Sequence, residues 1–404
     1  MINSNYNSSY NDISIVIPVI NQLQSLNILL DKILTLSLKP KNIIIVNSGD
    51  ENYLNQFHDN RFEIPIIYHH EKQIAYPGKA RNIGVNLSDS EWIAFLDVRT
   101  LPHQDWLKQY IQLIKLYNSD IIIGITQFSA SNKFQKLIRA ATYGKIGHET
   151  VPGTLITKTL FLKTGCFLEN VRMGEDIEWK DRVHQGQFKI YKPNIPILEY
   201  TGLPNKFIIT IKKYLISSFH SSKINIQRNI KDAYLTVSLI FSAIIIPKWN
   251  YIIGGWDNNP LYIPNVTKIF LLSTILLLLL IQIFNRLFSR STIETYFSKI
   301  LKIVVFIFVT VGVYRWNAVI ANWMEEAILY FPHVTKIYVG FVITLSILYR
   351  GLFKPLKRKI KPSFLFPFRW IIIGLLGLCL DLIKTPGYLG GALTAFLHSE
   401  RKTQ

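Results

Sequence analysis

The chain has 404 residues, of which 49% are hydrophobic, and a formal net charge of +19 at pH 7. It is longer than one ordinary domain, and its two cysteines, Cys166 and Cys379, exclude a disulfide framework or a thiolate metal cluster. The charge brings nucleic-acid binding into view as a function class, but much of the excess lies beside apolar runs after residue 233, which points to an anionic membrane surface and no nucleic acid.

Residues 1–12 are polar and rich in Asn and Ser, without the basic-then-apolar order of a secretion signal, so the domain that follows is expected to stay in the cytosol. From residue 13 to about 205, short Ile- and Val-rich runs alternate with segments of helical period, the pattern of an α/β domain with a mostly parallel sheet. Strands are expected at Ile13–Pro18, Ile43–Val46, Ile64–Tyr68, Trp92–Leu96 and Ile121–Ile125. A helix is expected at Gln22–Leu36, and another from Ala80 onward.

Ligands of such sheets bind beyond the carboxyl ends of the strands. Pro18 and Asn21 follow the first run, Asn47 and Asp50 the second, and Asp97 and Arg99 the fourth. In Tyr76-Pro77-Gly78-Lys79-Ala80-Arg81-Asn82-Ile83-Gly84, the amides of a helix start, together with Lys79 and Arg81, suit a diphosphate. Further on, Gly174-Glu175-Asp176-Ile177-Glu178-Trp179-Lys180-Asp181-Arg182 gathers acids, an aromatic and a base on about two helical turns. A pocket-facing Asp176 would take a proton from an acceptor hydroxyl, with Trp179 and Arg182 along the same face; the competing reading is a solvated amphipathic helix.

Residues 206–232 interleave Lys206, Lys212, Lys213, Lys223, Arg228 and Lys231 with apolar side chains, which suits an interfacial helix on an anionic leaflet or, alternatively, a solvated basic helix. Over residues 233–390 five apolar runs follow, at Tyr234–Pro247, Ile269–Phe284, Ile303–Val313, Ile337–Tyr349 and Trp370–Ile383. They are read as about five membrane spans, with buried core helices as the alternative for the first and third. Loop charge supports this order. Arg286, Arg290, Lys299 and Lys302 follow the second run, and Arg350, Lys354, Lys357, Arg358, Lys359 and Lys361 follow the fourth, as a cytoplasmic catalytic domain requires. Residues 391–404 are expected as a C-terminal tail, and the whole as an integral protein of the inner or plasma membrane.

In chain order, IVIPVIN, IIIVNSGD, GKARNIGV, WIAFLDVRTLPHQDWL, VPGTLITKTLFLKTGCFLE and GEDIEWKDRV resemble the inverting family-2 glycosyltransferases of the GT-A fold. The resemblance spans roughly residues 13–200. It implies a nucleotide-diphosphate sugar as donor, with Asn47 and Asp50 as base-side contacts and Arg81 and Asp97 at the nucleotide site; the strand-end and helix-start positions add Pro18, Asn21, Lys79 and Arg99 to the donor side. It makes Asp176 the catalytic base, with Glu175 beside it, and Asp97 the ligand either of a divalent metal, Mg or Mn, or of the ribose; the shared helix face puts Trp179 and Arg182 on the acceptor side. Where relatives carry Asp-Xaa-Asp this chain has Asp97-Val98-Arg99, so two accounts of the leaving group stay open. Either Arg99 pairs directly with the diphosphate, or Asp97 alone holds a water-rich metal.

The closeness of the apolar runs to the catalytic region implies a lipid-linked or surface-glycan acceptor. A catalytically inactive scaffold and a processive polysaccharide synthase or exporter are the alternatives. Such synthases carry a Gln-Xaa-Xaa-Arg-Trp motif that is not found after Asp176, and a pure transporter would leave the ordered soluble motifs unexplained.

Overall fold

The structure is a computed structural model that describes residues 12–51, 63–73, 75–223, 272 and 334–400. The chain divides into two compact units, residues 1–227 with 351–404, and residues 228–350. Residues 1–11 of the N-terminal tail, residues 224–232 of the basic segment and the first three apolar runs lie outside the described residues, Leu272 excepted.

Among the described residues the first unit has nine strands: β1 (Ile13–Val19), β2 (Asn42–Asn47), β3 (Ile66–His70), β4 (Trp92–Phe95), β5 (Thr100–Pro102), β6 (Ile121–Phe128), β7 (His148–Thr157), β8 (Ile190–Tyr191) and β9 (Leu198–Tyr200). They form one sheet in the order β3-β2-β1-β4-β7-β6-β9-β5, with β8 on β6. The β1, β2, β3 and β4 pairings are parallel, as the Ile/Val runs led one to expect. Beyond β4 the sheet is mixed, because β7 runs antiparallel to both β4 and β6, and β5 runs antiparallel to β9. The expectation of a mostly parallel sheet therefore holds for one half only.

Helices α1 (Leu23–Leu34), α2 (Pro77–Leu87), α3 (Trp106–Tyr117), α4 (Lys133–Ala141), α5 (Lys158–Thr164) and α6 (Glu175–Gln185) connect or cover these strands. One core cluster joins Ile13, Ile15 and Ile17 to Leu26, Leu29, Leu30 and Ile33 of α1. On the other face, Val16, Ile44 and Phe95 pack with Phe161, Phe167, Trp179 and Val183. α2 begins at Pro77, three residues before the expected start, because the fixed φ of proline suits the first helical position and its missing N–H is not needed there.

The helix α7 (Phe207–Lys223) covers the described part of the basic segment. In the second unit lies α8 (Val334–Leu348), in the region of the fourth apolar run. The first unit then resumes with α9 (Lys354–Lys357), α10 (Pro362–Leu365) and α11 (Arg369–Glu400). Helix α11 continues through Pro386 to Glu400, so the described part of segment 391–404 is helical and not a tail. It lies along α7, where Ser222 donates to the Tyr388 carbonyl at 2.8 Å. Within α11, Arg369–Tyr388 is the one stretch among the described residues that is long and apolar enough to cross a membrane.

Candidate functional site

The site is organised around one buried cation. Arg81, on α2, is 3% exposed and places its guanidinium between two carboxylates far apart in sequence. One terminal nitrogen donates to Asp97 Oδ1 at 2.8 Å, just after β4, and the other to Glu175 Oε1 at 2.9 Å, at the start of α6. The planar fork of an arginine can make both contacts at once. A single side chain thus ties a strand end to the helix that carries the catalytic-base candidate. Burial opposes the charge on Arg81, but Asp97 and Glu175 hold its pKa above the ordinary value.

Helix α6 starts where it does because Gly174 has φ +99°, a left-handed conformation that side-chain-bearing residues adopt at a cost. Glu175, Asp176 and Glu178 then occupy the first turn, where the helix dipole favours negative charge. Gly78 answers a tighter constraint, since a Cβ there would run into the Leu168 carbonyl and approach the Glu175 side chain. That contact lets α2 come close to the start of α6.

Glu175 is 4% exposed, and its Oε2 has no hydrogen-bond partner among the described residues. Burial is the largest influence on it and pushes its pKa up to about 7; Arg81 pulls it down, and the neighbouring Asp176 pushes it up again. The folded carboxyl therefore keeps its proton to higher pH than an unfolded one, whose ordinary value is 4.5. Between those values the native state binds more protons, so Glu175 lends stability at low pH that is lost as pH rises through about 7. The variant Glu175→Gln should flatten that part of the stability profile. Thermal unfolding followed from pH 5 to 8 checks this, with the wild type losing midpoint over the range and the variant losing less.

Asp97 and Arg99 open onto a cavity of about 750 Å³. Pro18, Val19, Ile20 and Gln22 form its wall at the end of β1; Ala75, Pro77 and Ala80 lie at the start of α2. Opposite them are Arg172, Met173, Tyr200, Leu203, Ile209 and Lys213. The sequence reading missed most of this second wall. Its available signal was the Gly202-Leu203-Pro204 breaker shortly after the β9 strand end. Lys213 sits over the Tyr200 ring at 5.3 Å and reaches its hydroxyl at 3.4 Å.

The other expected donor-side residues are placed as follows. Asn47 is 2% exposed and turned into its own loop, donating to the Asp50 carbonyl at 3.1 Å and accepting from the Gly49 amide at 3.0 Å. Asn21 accepts from the Asp50 amide at 3.1 Å, which ties the β1 and β2 loops together. Lys79 pairs with Glu71 at 3.3 Å. Pro18, Asp97 and Arg99 share the cavity, whereas Asn21, Asn47, Asp50, Lys79 and Arg81 do not line it. Arg81 is committed to its two carboxylates and acts on the site through them.

Asp176 is half-buried and lies within electrostatic reach of Arg81; the residues just before its helix, Arg172 and Met173, are on the cavity wall. Trp179 and Arg182 correct the expectation of acceptor contacts. Trp179 is fully buried, 5.0 Å from Phe167 and 5.9 Å from Phe161 between ring centroids, so its ring has no face to offer an acceptor. Arg182 pairs with Glu178 and donates to the carbonyls of Thr164, Gly165 and Cys166, bracing the end of α5. Replacing Trp179 by Ala should cost about 3–5 kcal/mol through the cavity it leaves. A lower thermal midpoint with an unchanged acceptor KM in the folded fraction is the expected result.

No group of three His, Cys, Asp or Glu residues that could hold a metal gathers among the described residues. Asp97 has one oxygen engaged by Arg81, and Arg99 stands where a second carboxylate would be. These residues do not make a metal site of their own; an ion here would depend on Asp97 and the oxygens of a bound diphosphate.

The family described as "Glycosyl transferase family 2" matches residues 14–173, the segment that contains β1, α2, Asp97 and the strands up to β7. Among curated proteins, the chain is 25% identical over 194 residues to the glycosyltransferase AglE of Haloferax volcanii, covering 44% of this chain and 63% of that one. It is 27% identical over 263 residues to an uncharacterized glycosyltransferase of Rickettsia conorii, covering 57% and 40%. The chain thus spans less than two thirds of the length of each of these relatives. Similar solved structures include S. aureus TarS 1–349, with 15% identity, a TM-score of 0.41 and coverage of 60% and 78%. Another is the mannosyltransferase PcManGT of Pyrobaculum calidifontis, in complex with GDP-Man and Mn2+, with 14% identity, a TM-score of 0.40 and coverage of 52% and 62%.

Proposed function

We propose that the protein, whose residues 14–173 match the family 2 glycosyltransferase domain, transfers a sugar, with inversion, from a nucleotide-diphosphate sugar to an acceptor hydroxyl held near a membrane. The observation that carries this reading is the Asp97–Arg81–Glu175 bridge, which holds the strand-end acid beside the cavity and the acid pair of α6 in one rigid frame.

In this reading the nucleotide lies along the Pro18–Gln22 wall of the cavity, and its diphosphate lies by Asp97. Arg99 and Arg172, both exposed on the same cavity, supply the positive charge that a departing nucleotide diphosphate needs. Asp176 takes the acceptor proton as the hydroxyl oxygen bonds to the anomeric carbon and the bond to the diphosphate oxygen breaks. Glu175, protonated or shared with Arg81, keeps the start of α6 in place. A divalent metal, when bound to the diphosphate, would add charge neutralisation there.

The membrane part of the proposal rests on the sequence runs, on the apolar stretch of α11, and on Phe207, Ile208 and Ile209, which α7 leaves exposed beside Lys206 and Lys212. A lipid-linked or surface-glycan acceptor, reached from the cytoplasmic side of an inner or plasma membrane, fits that placement. The test is transfer by purified full-length protein in lipid, with and without chelator, alongside thermal protection by nucleotide sugar. Activity and protection that survive chelation are expected if Arg99 neutralises the diphosphate. Complete loss of both, restored by Mg or Mn, would assign that task to a metal on Asp97.

A further inference from the structure

Residues 351–380 are apolar and aromatic segments broken by cations, with no Asp or Glu. Sequence alone places the basic part of this stretch in an aqueous loop between two spans. The structure instead fastens it to the transferase domain. Ile360, Leu365 and Ile373 are buried against Ile138 and Ala141 of α4 and against Leu203, a residue of the cavity wall. The Lys145 amide donates to the Arg358 carbonyl at 2.8 Å, and Gly144 packs so closely on Arg358 that a Cβ would collide with it.

The opposite side of the same segment faces outward and is apolar. Phe366 is 52% exposed, Phe368 71%, Ile372 54% and Leu375 50%. Around them Lys357, Lys359, Lys361 and Arg369 are all exposed. Large apolar side chains held together at a surface mark an interaction site, and a rim that is purely cationic selects an anionic partner. An aqueous loop would have no reason to present two phenylalanines that its buried face does not need. A protein partner would bury the aromatics but would not call for a rim free of every acid. A bilayer containing anionic lipid meets both demands, with aromatic rings at the level of the acyl boundary and long basic side chains reaching the headgroups.

We propose that the segment from α9 to the first turns of α11 lies in the headgroup region of an anionic bilayer, with Phe366, Phe368, Ile372 and Leu375 inserted. Because its buried face packs on Leu203, this seat sets the cavity against the lipid surface. The inference does not depend on the transfer chemistry and stands or falls separately from it.

The experiment uses the full chain in nanodiscs, with Cys166 and Cys379 replaced by Ser and an environment-sensitive fluorophore at Phe368→Cys. Ile372→Cys provides a second reporter should the first variant fold poorly. Leu116→Cys, on the 72% exposed Leu116 of α3, serves as the aqueous control. With quencher-bearing lipids and phosphatidylglycerol in the bilayer, emission from position 368 or 372 should fall strongly while position 116 stays bright. Changing Lys357, Lys359 and Lys361 together to Gln should reduce that quenching, as should a purely zwitterionic bilayer. Emission at 368 and 372 as bright as at 116 would overturn the proposal. So would a blue shift without lipid quenching, which would mean that protein covers the patch, and quenching indifferent to both charge changes.

Discussion

Asp176→Asn should abolish turnover while leaving donor binding nearly intact. General-base catalysis is worth on the order of 10²–10⁴-fold, and an amide cannot accept the acceptor proton at neutral pH. Asn keeps the size of Asp176 and can stay in the first turn of α6, so Gly174 and the Arg81–Glu175 contact should persist. The check pairs a turnover assay with protection of the protein by nucleotide sugar against thermal unfolding. Lost turnover with retained protection is the expected pair. Turnover near the wild-type level would remove Asp176 from its assigned role, and loss of both readouts would point to a structural task.

Arg81→Gln is expected to have the second large effect, and to act through stability. Removing one partner of a buried ion pair leaves the other uncompensated and costs about 3–5 kcal/mol. Here one guanidinium serves two carboxylates, one of them 4% exposed. Glu175 already titrates near 7, so without Arg81 it should remain protonated and soften part of that loss. Asp97 would lose its partner at the cavity edge. The variant should show a lower thermal midpoint and weaker donor protection together. Arg81→Lys should recover only part of either, because one ammonium cannot reproduce the two-pronged contact. A midpoint equal to wild type for Arg81→Gln would mean that the bridge contributes nothing to the frame of the site.

The legible half of the fold was the half whose signal is local. Ile15–Val19 and Ile43–Val46 are continuous apolar runs because both faces of a parallel sheet are covered, and such runs are visible in the sequence. Strand β7, HETVPGTLIT, carries Pro152 and Gly153 and mixes polar with apolar residues, and β9 has only three residues. Neither shows a strand pattern until its partners are known. β7 finds one partner in β4, more than fifty residues earlier, and no local rule reports that pairing.

The candidate site divides in the same way. The strand-end position of Asp97 and the helix start at Glu175 could be read from pattern, and so could the acid pair. The bridge between them could not, since Arg81 and Glu175 lie 94 residues apart. Trp179 shows why helical spacing alone misleads. A stripe through Asp176, Trp179 and Arg182 and a stripe through Glu175, Trp179 and Val183 both satisfy the periodicity, and packing against Phe95, Phe161 and Phe167 selects the second. Arg182 spends its donors on Glu178 and on the carbonyls of Thr164, Gly165 and Cys166.

Photoaffinity labelling with a panel of azido-nucleotide-diphosphate sugars tests the central claim most directly, because it asks where the donor sits before any chemistry occurs. The account predicts light-dependent crosslinks in the peptides containing Pro18–Gln22 and Asp97–Arg99, competed by the free nucleotide diphosphate and preserved in Asp176→Asn. Specific, competable labelling confined to peptides remote from that cavity would contradict it.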